Sequence, residues 1–217
     1  MGRGSPSGPG ALVGGSVHAV SDPATLAGEL HWLTQAPSLL TPPSGCDGAD
    51  QILRHCAGEP GVLRRAADTL AAQPRPRRLG LHFENLVAAL IQHSERYRLV
   101  ARNVPLRLNG KTLGELDMLI EDRKTHELMH WELALKFYLG LPGEPQERAW
   151  PGPNNLKYQL TRKIDHLYRQ QLPRSSEPAV QALLTEQGLH VDRRVLLTRG
   201  RLFYPAEGSA TPPAKVT

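Results

Sequence analysis

The stretch TLGELDMLIEDRKTHELMHWELALKFY, residues 112–138, contains two runs with the composition of β-strands. Side chains of a strand alternate between its two faces, so that residues two apart in the chain share a face. In the first run, residues 112–120, Glu115 and Asp117 therefore lie on one face. The other face of this run is apolar and carries Leu116, Met118 and Ile120. The sequence predicts a strand with one acidic face and one apolar face.

The second run, residues 128–138, repeats this arrangement after the polar segment 121–127. Its polar face carries His130, Glu132, Ala134 and Lys136, and its apolar face carries Trp131, Leu133, Leu135 and Phe137. Two such runs joined by a short connection are expected to pair as antiparallel strands. The pairing places Asp117 near Glu132 and Lys136.

An acid, a second acid and a lysine form the set of groups that metal-dependent phosphodiester hydrolysis requires. Carboxylate oxygens bind Mg²⁺ or Mn²⁺, and the metal polarises the phosphate and activates a water molecule. The lysine can stabilise the developing negative charge. A solvated strand face with an ordinary Glu–Lys pair is the alternative interpretation. Because both runs are apolar on their other face, we favour a cleft, with Asp117, Glu132 and Lys136 as catalytic residues.

Upstream of these runs, residues 79–94 have the apolar periodicity of a helix. Glu84 lies on the same side of this helix as Val87 and Ile91, so its carboxylate is directed toward the core or its rim. It either pairs with an arginine such as Arg107 or completes the metal site. We favour a third metal ligand and catalytic acid, because Asp117 and Glu132 would lie nearby.

The segments that complete a mixed fold flank the central stretch. Residues 97–108 predict the first core strand, which the hairpin signal Asn109-Gly110 connects to the next strand. Residues 155–172 predict a second core helix, whose apolar stripe comprises Leu156, Leu160, Ile164 and Leu167. Residues 193–198 predict a fourth strand. The candidate nucleic-acid contacts of the second helix are Lys157, Arg162, Lys163 and His166.

The remaining segments are shorter or richer in Pro and Gly. Helices are predicted for residues 22–33, 62–72 and 180–187. Residues 37–61 are predicted to be mostly loop, with one helical turn near Ile52. The long connection after Tyr138 is expected to form a cleft wall or lid, with Trp150 as its anchor. Cys46 and Cys56 are expected to be free thiols, since four ligands at zinc-like spacing are absent from the sequence.

Several of these segments resemble the PD-(D/E)XK nuclease-like superfamily. More closely, they resemble the uncharacterised bacterial family called domain of unknown function 1853. The matching segments are LGLHFENL (79–86), GKTLGELDMLIED (110–122), HWELALKFYLG (130–140), WPGPNNLKYQLTRKIDHL (150–167) and GRLFYP (200–205). Members of the family usually continue well past the last segment, so the resemblance implies a shortened or altered C-terminus.

The resemblance implies an α/β (α+β) fold with a restriction-endonuclease-like αβββαβ core, in which helices flank a central mixed sheet. It assigns Asp117 as the metal-binding aspartate, Lys136 as the motif lysine and Glu84 as the acid of the first core helix. The superfamily acid two residues before the lysine falls on Ala134. Glu132 lies on the same strand face but about 7 Å further along. A degenerate fold that binds nucleic acid or a protein partner without cleavage is therefore the alternative to a nuclease.

Length and charge limit the organisation of the chain. Its 217 residues suffice for one medium domain with extensions. We predict a disordered tail (1–20), a helical and loop-rich extension (21–78), the core (79–205) and a second disordered tail (206–217). The net charge of +5 permits an anionic partner such as nucleic acid. No signal peptide or membrane-spanning run is recognisable, so a cytoplasmic protein without membrane contact is expected.

Overall fold

The computed structural model describes residues 22–108 and 110–217, so the predictions for residues 1–20 and for Asn109 lie outside the described residues. The helices are α1 (Pro23–Gln35), α2 (Asp50–Gly58), α3 (Val62–Ala71), α4 (Leu79–Gln92), α5 (Leu160–His166) and α6 (Pro178–Glu186). The strands are β1 (Asp47–Gly48), β2 (Tyr97–Leu108), β3 (Lys111–Asp122), β4 (Glu127–Leu139), β5 (Pro151–Gly152), β6 (Asn155–Gln159) and β7 (Arg193–Phe203). A π-helical turn (Leu167–Gln171) continues α5, and a 3₁₀ turn (Arg174–Ser176) follows it.

The central sheet has five strands in the order β1-β7-β4-β3-β2. Strand β4 pairs antiparallel with β3 and parallel with β7, so the sheet is mixed. The elements α4, β2, β3, β4, α5 and β7 follow one another in the predicted αβββαβ order, with the short β5–β6 hairpin inserted before α5 and α6 inserted before β7. The predicted fold class is confirmed.

Helices α1 to α4 cover one face of this sheet. They contribute a continuous apolar core that includes Leu30, Leu53, Phe83 and Leu90, all nearly or fully buried. From the sheet, the same core receives Met118, Ile120, Trp131, Val195 and Leu197. These are alternate residues of β3, β4 and β7, as the period of two requires. Leu116 differs from the prediction, because it packs with Leu106 and Leu119 in a separate cluster.

Helices α5 and α6 cover the other face. Leu160, Ile164 and Leu167 pack with Tyr138 and Trp150 in one cluster. In a neighbouring cluster, Val180 and Leu184 of α6 pack with side chains of β2 and β3. The polar face of β4 therefore lies beneath α5 and the turns that follow it, which is the arrangement that buries His130 and Glu132.

The predicted helix 155–172 is wrong in its first turn. Residues 155–159 form β6, which pairs with β5, and α5 begins only at Leu160. The side chain of Asn155 accepts a hydrogen bond from the backbone N–H of Lys157 at 2.9 Å. Such local bonds of Asn compete with helix formation. Leu156 is consequently exposed and does not join the predicted inward stripe.

Two further predictions need correction. Within the predicted loop 37–61, Asp50–Gly58 forms a helix, because Ile52, Leu53 and Cys56 provide it with a buried face. The predicted disordered tail 206–217 contacts the core instead. Its Thr211 carbonyl accepts a hydrogen bond from Trp150 at 3.0 Å. Residues 215–217 form backbone hydrogen bonds with residues 39–41.

Other predictions agree with the structure. Asp22 caps α1 by accepting the backbone N–H of Thr25, and Trp150 is fully buried at the end of the long connection after Tyr138. Cys46 and Cys56 are free thiols.

No helix in the described ranges has the length and apolar character needed to span a membrane.

Gly200 allows β7 to lie directly beside the strand that carries Lys136. The two residues are paired, and Gly200 has φ of +147°. A Cβ atom at this position would lie 1.7 Å from the carbonyl oxygen of Lys136. Only glycine tolerates this close backbone approach. The sequence therefore uses a glycine to keep the end of β4 in the sheet.

Candidate active site

The ladder between β3 and β4 ends where the two candidate metal ligands lie. Met118 and Trp131 are its last pair, and continuing the same register would place Asp117 opposite Glu132. Beyond this pair, the Asp117 side chain takes the place of a backbone hydrogen-bond acceptor. Its Oδ2 accepts a hydrogen bond from the backbone N–H of Leu133 at 2.8 Å. The carboxyl groups of Asp117 and Glu132 are brought together there, as the sequence predicted.

Glu132 is removed from water, and Asp117 is half-buried. Glu132 has 0% of its surface exposed. Burial raises the pKa of Asp117 to about 7, and the negative charge of Glu132 adds to that rise. Burial also raises the pKa of Glu132 to about 7, although Arg174 and Lys163 oppose the rise, and the two carboxyl groups share a hydrogen bond. Since two like charges this close resist ionising together, the pair retains a proton near neutral pH.

A buried relay holds one oxygen of Glu132. His130 Nε2 lies 3.0 Å from Glu132 Oε1, and His130 Nδ1 lies 3.0 Å from the Ser175 hydroxyl. All three side chains are buried, and burial lowers the pKa of His130 to about 4. The imidazole is therefore neutral at pH 7 and has one N–H to donate. The 3₁₀ turn that contains Ser175 thus fixes the orientation of Glu132 through His130.

The second oxygen of Glu132 is connected to a lysine. Gln171 Nε2 donates to Glu132 Oε2 at 2.9 Å, and Lys163 Nζ donates to Gln171 Oε1 at 2.6 Å. Gln171 lies in the π-helical turn, a feature that occurs frequently at functional sites. Burial lowers the pKa of Lys163, and the charge of Lys136 lowers it further. The half-buried Lys163 of α5 therefore lies near the carboxyl pair, and the exposed Lys136 of β4 lies near Lys163.

Glu84 approaches the pair from α4. It is half-buried, and its pKa is raised by burial and then by the charge of Asp117. Arg102 Nη2 lies 3.9 Å from Glu84 Oε2, so the nearby arginine is Arg102 rather than Arg107. Within residues 22–108 and 110–217, no group of three or more His, Cys, Asp and Glu side chains is arranged to hold a metal ion. Glu84 is therefore near the pair but is not preformed as a third ligand.

The donor set fits a magnesium site of the two-carboxylate type. Mg²⁺ is usually bound by one or two carboxylates and keeps several water ligands. Asp117 Oδ2 accepts a hydrogen bond from Leu133, and the two oxygens of Glu132 are hydrogen-bonded to His130 and Gln171. Each of these carboxylate oxygens has a second lone pair. Asp117 and Glu132 could hold the ion directly, and Glu84 could reach it through water.

The predicted nucleic-acid contacts separate into two groups. Lys157, Arg162 and His166 are exposed. Lys163 instead faces Gln171 and the carboxyl pair, so its place is within the site and not on its outer surface.

Sequence reasoning missed three residues of the site. His130 could have been found, because period two places it on the face of Glu132 and an apolar strand rarely buries a histidine without a partner. Ser175 and Gln171 have no comparable signal. They come from segments 43 and 39 residues downstream of Glu132, and only the packing of those segments brings them to it.

Replacing His130 by alanine is expected to lower the free energy of unfolding by about 2–4 kcal/mol, because it leaves a cavity and two buried polar groups without a partner. Urea denaturation followed by circular dichroism measures this change. His190→Ala is the control, since this exposed histidine lies away from the site. Its effect should stay within about 0.5 kcal/mol. An equally small effect of His130→Ala would contradict the relay.

A comparison with protein families identifies the chain. The family model described as "Domain of unknown function (DUF1853)" matches residues 28–217. The chain belongs to the DUF1853 family. A search of curated proteins and a search of solved structures found no significant match. The carboxyl pair and its neighbours therefore form a site of a DUF1853 domain, and the chemistry of this site follows from its own geometry.

Proposed function

We propose that this DUF1853 protein is a Mg²⁺- or Mn²⁺-dependent phosphodiesterase that cleaves nucleic acid, with a core of the PD-(D/E)XK type. One observation supports this most strongly: the carboxyl groups of the half-buried Asp117 and the fully buried Glu132 adjoin each other, with pKa values raised to about 7. Burying two acids together opposes folding. Strongly perturbed acids concentrate at functional sites, where a bound cation relieves their repulsion.

The residues of the site have distinct roles in this proposal. Asp117 and Glu132 hold the metal ion, and Glu84 contacts it through water. When bound, the ion polarises the phosphate and lowers the pKa of a water molecule. Lys136 and Lys163 stabilise the negative charge that develops on the phosphate oxygens. His130 and Gln171 keep the Glu132 carboxylate in one orientation.

A second candidate is a catalytically degenerate member of this fold that binds nucleic acid or a protein partner without cleavage. Ala134 favours it, because this position would carry the acid two residues before the lysine in the PD-(D/E)XK pattern. Ala134 is 6% exposed, so this position is buried and carries no carboxylate. In the nuclease proposal, Glu132 takes over the role of this acid. Both proposals assume a bacterial protein in the cytoplasm.

Metal binding is the first test. Isothermal titration of MnCl₂ into the wild type at pH 7.5 should give one site. Losing a residue that hydrogen-bonds to a metal ligand lowers metal affinity by about 10- to 100-fold. Asp117 is itself a ligand in this proposal, so Asp117→Asn is expected to lower the affinity for Mn²⁺ by at least about 100-fold. Asp165→Asn is the matched control, because Asp165 is an exposed acid of α5 that pairs with Arg169. Equal affinity in wild type and Asp117→Asn would remove the metal site.

Cleavage is the second test. Single- and double-stranded DNA and RNA are incubated with wild type or Asp117→Asn in MnCl₂. Cleavage by the wild type that is absent from the variant supports the nuclease. If Mn²⁺ binds but no substrate is cut, the degenerate binder is favoured.

A further inference from the structure

The β5–β6 hairpin contains a bulge that exposes an aromatic side chain. Pro151 pairs with Gln159 and Gly152 pairs with Asn155, so three residues of β6 have no partner on β5. These residues are Leu156, Lys157 and Tyr158. Leu156 is 65% exposed and Tyr158 is 71% exposed. Bulges of this kind redirect side chains and are common beside active sites.

The base of the hairpin is rigid. Trp150 is fully buried, and its indole N–H donates to the Thr211 carbonyl at 3.0 Å. The backbone N–H of Leu160 donates to the Trp150 carbonyl at 2.9 Å, and Leu160 is itself buried. Pro151 and Gly152 are also buried. The bulge is therefore an exposed surface on a well-packed support, which lowers the entropy cost of binding to it.

Three basic residues lie close to Tyr158 along the chain. Lys157 is its neighbour in the bulge, and Arg162 and Lys163 follow on α5. Neither Lys157 nor Arg162 forms an ion pair with any residue that the structure describes. An exposed aromatic ring and cations without an ion-pair partner suit single-stranded nucleic acid. Its bases can stack on the ring, and its anionic phosphates can bind the cations.

The distance to the carboxyl pair suits a strand that is being cleaved. From Tyr158 the chain extends two residues to Leu160 and three helical residues to Lys163, which is at most about 11 Å. Lys163 is close enough to Asp117 and Glu132 for their charges to affect it. A base on Tyr158 would thus lie within a few nucleotides of a phosphate at the pair.

We infer that Tyr158 stacks on a base of single-stranded nucleic acid and that Lys157 and Arg162 bind the adjoining phosphates, which makes an unpaired strand the preferred ligand. This inference rests on the proposed function for its substrate class. It is a statement about binding and does not require cleavage.

The test measures binding of a fluorescein-labelled dT20 strand and of the corresponding duplex by fluorescence anisotropy. EDTA in the buffer prevents metal-dependent cleavage. Wild type should bind the single strand more tightly than the duplex. Tyr158→Ala should weaken single-strand binding by about 5- to 100-fold, which is the usual loss for one stacked base, and should change duplex binding little. Tyr158→Phe keeps the ring and should restore the affinity.

The matched control is Trp32→Ala, which removes an exposed aromatic side chain from α1, on the opposite face of the sheet. Unchanged single-strand affinity in Tyr158→Ala would overturn the inference. The inference would also be overturned if the wild type bound neither the single strand nor the duplex and instead associated with itself or with a protein through the bulge. If Tyr158→Ala loses binding while wild type cuts nothing in Mn²⁺, the inference stands and the nuclease proposal fails.

Discussion

Replacing Lys136 by alanine is expected to lower metal-dependent cleavage by about 10²- to 10³-fold, the usual cost of losing one electrostatic donor to a transition state. Lys136 follows Glu132 on the same face of β4, and its charge reaches Lys163. Its side chain is exposed, and its backbone remains paired with Gly200 in any variant. The substitution should therefore leave the thermal midpoint nearly unchanged.

Cleavage rates with MnCl₂ and a labelled oligonucleotide measure this effect. Lys124→Ala is the control, because it removes the same charge from an exposed position in the turn between β3 and β4. It should keep the wild-type rate. The Ala134→Glu variant tests the displaced acid. Cleavage by Ala134→Glu alone, with an inactive wild type, would contradict the role of Glu132 and favour the degenerate binder.

The free energy of unfolding should fall as the pH rises from 5 to 8. The pKa values of Asp117 and Glu132 are raised to about 7 in the folded protein, from ordinary values of 3.8 and 4.5. The folded state thus holds protons that the unfolded state has released, and stability is lost as the pH rises through 7. Between pH 5 and 8 each group contributes roughly two pH units of this loss at about 1.36 kcal/mol per unit, so the loss for the pair is on the order of 5 kcal/mol.

Below pH 6.5, His130 lowers the free energy of unfolding as the pH falls. Its pKa is lowered to about 4 in the folded protein, so the unfolded state takes up a proton at a higher pH than the folded state does. The informative quantity is therefore the difference in unfolding free energy between wild type and Asp117→Asn. Urea denaturation across the pH range should show Asp117→Asn becoming the more stable protein as the pH rises. A difference that is independent of pH would contradict the buried pair.

Mn²⁺ provides an independent check of the same pair. A metal ion binds the deprotonated carboxylates, so it should raise the thermal midpoint more at pH 8 than at pH 6. This dependence should be absent from Asp117→Asn.

Much of the fold and part of the site could be predicted from local patterns. The alternation in β3 and β4 placed Asp117, Glu132 and Lys136 on one side of the sheet, because strand period is a property of the backbone. The first core helix was recognisable from its apolar face. The start of α5 was not, because the Asn155 side chain and the pairing with β5 outweigh helix propensity at residues 155–159.

The sequence by itself determined which acids and lysines share a strand face, since side-chain alternation needs no knowledge of the rest of the chain. Only the tertiary structure decided their chemistry. Packing of α5 and the following turns onto β4 brought Ser175 and Gln171 to the Glu132 network and excluded water from it. That exclusion raises the pKa of both carboxyl groups, because a charge is stabilised poorly where water cannot reach it. Burial depends on contacts between distant segments, and no local pattern in the sequence encodes it.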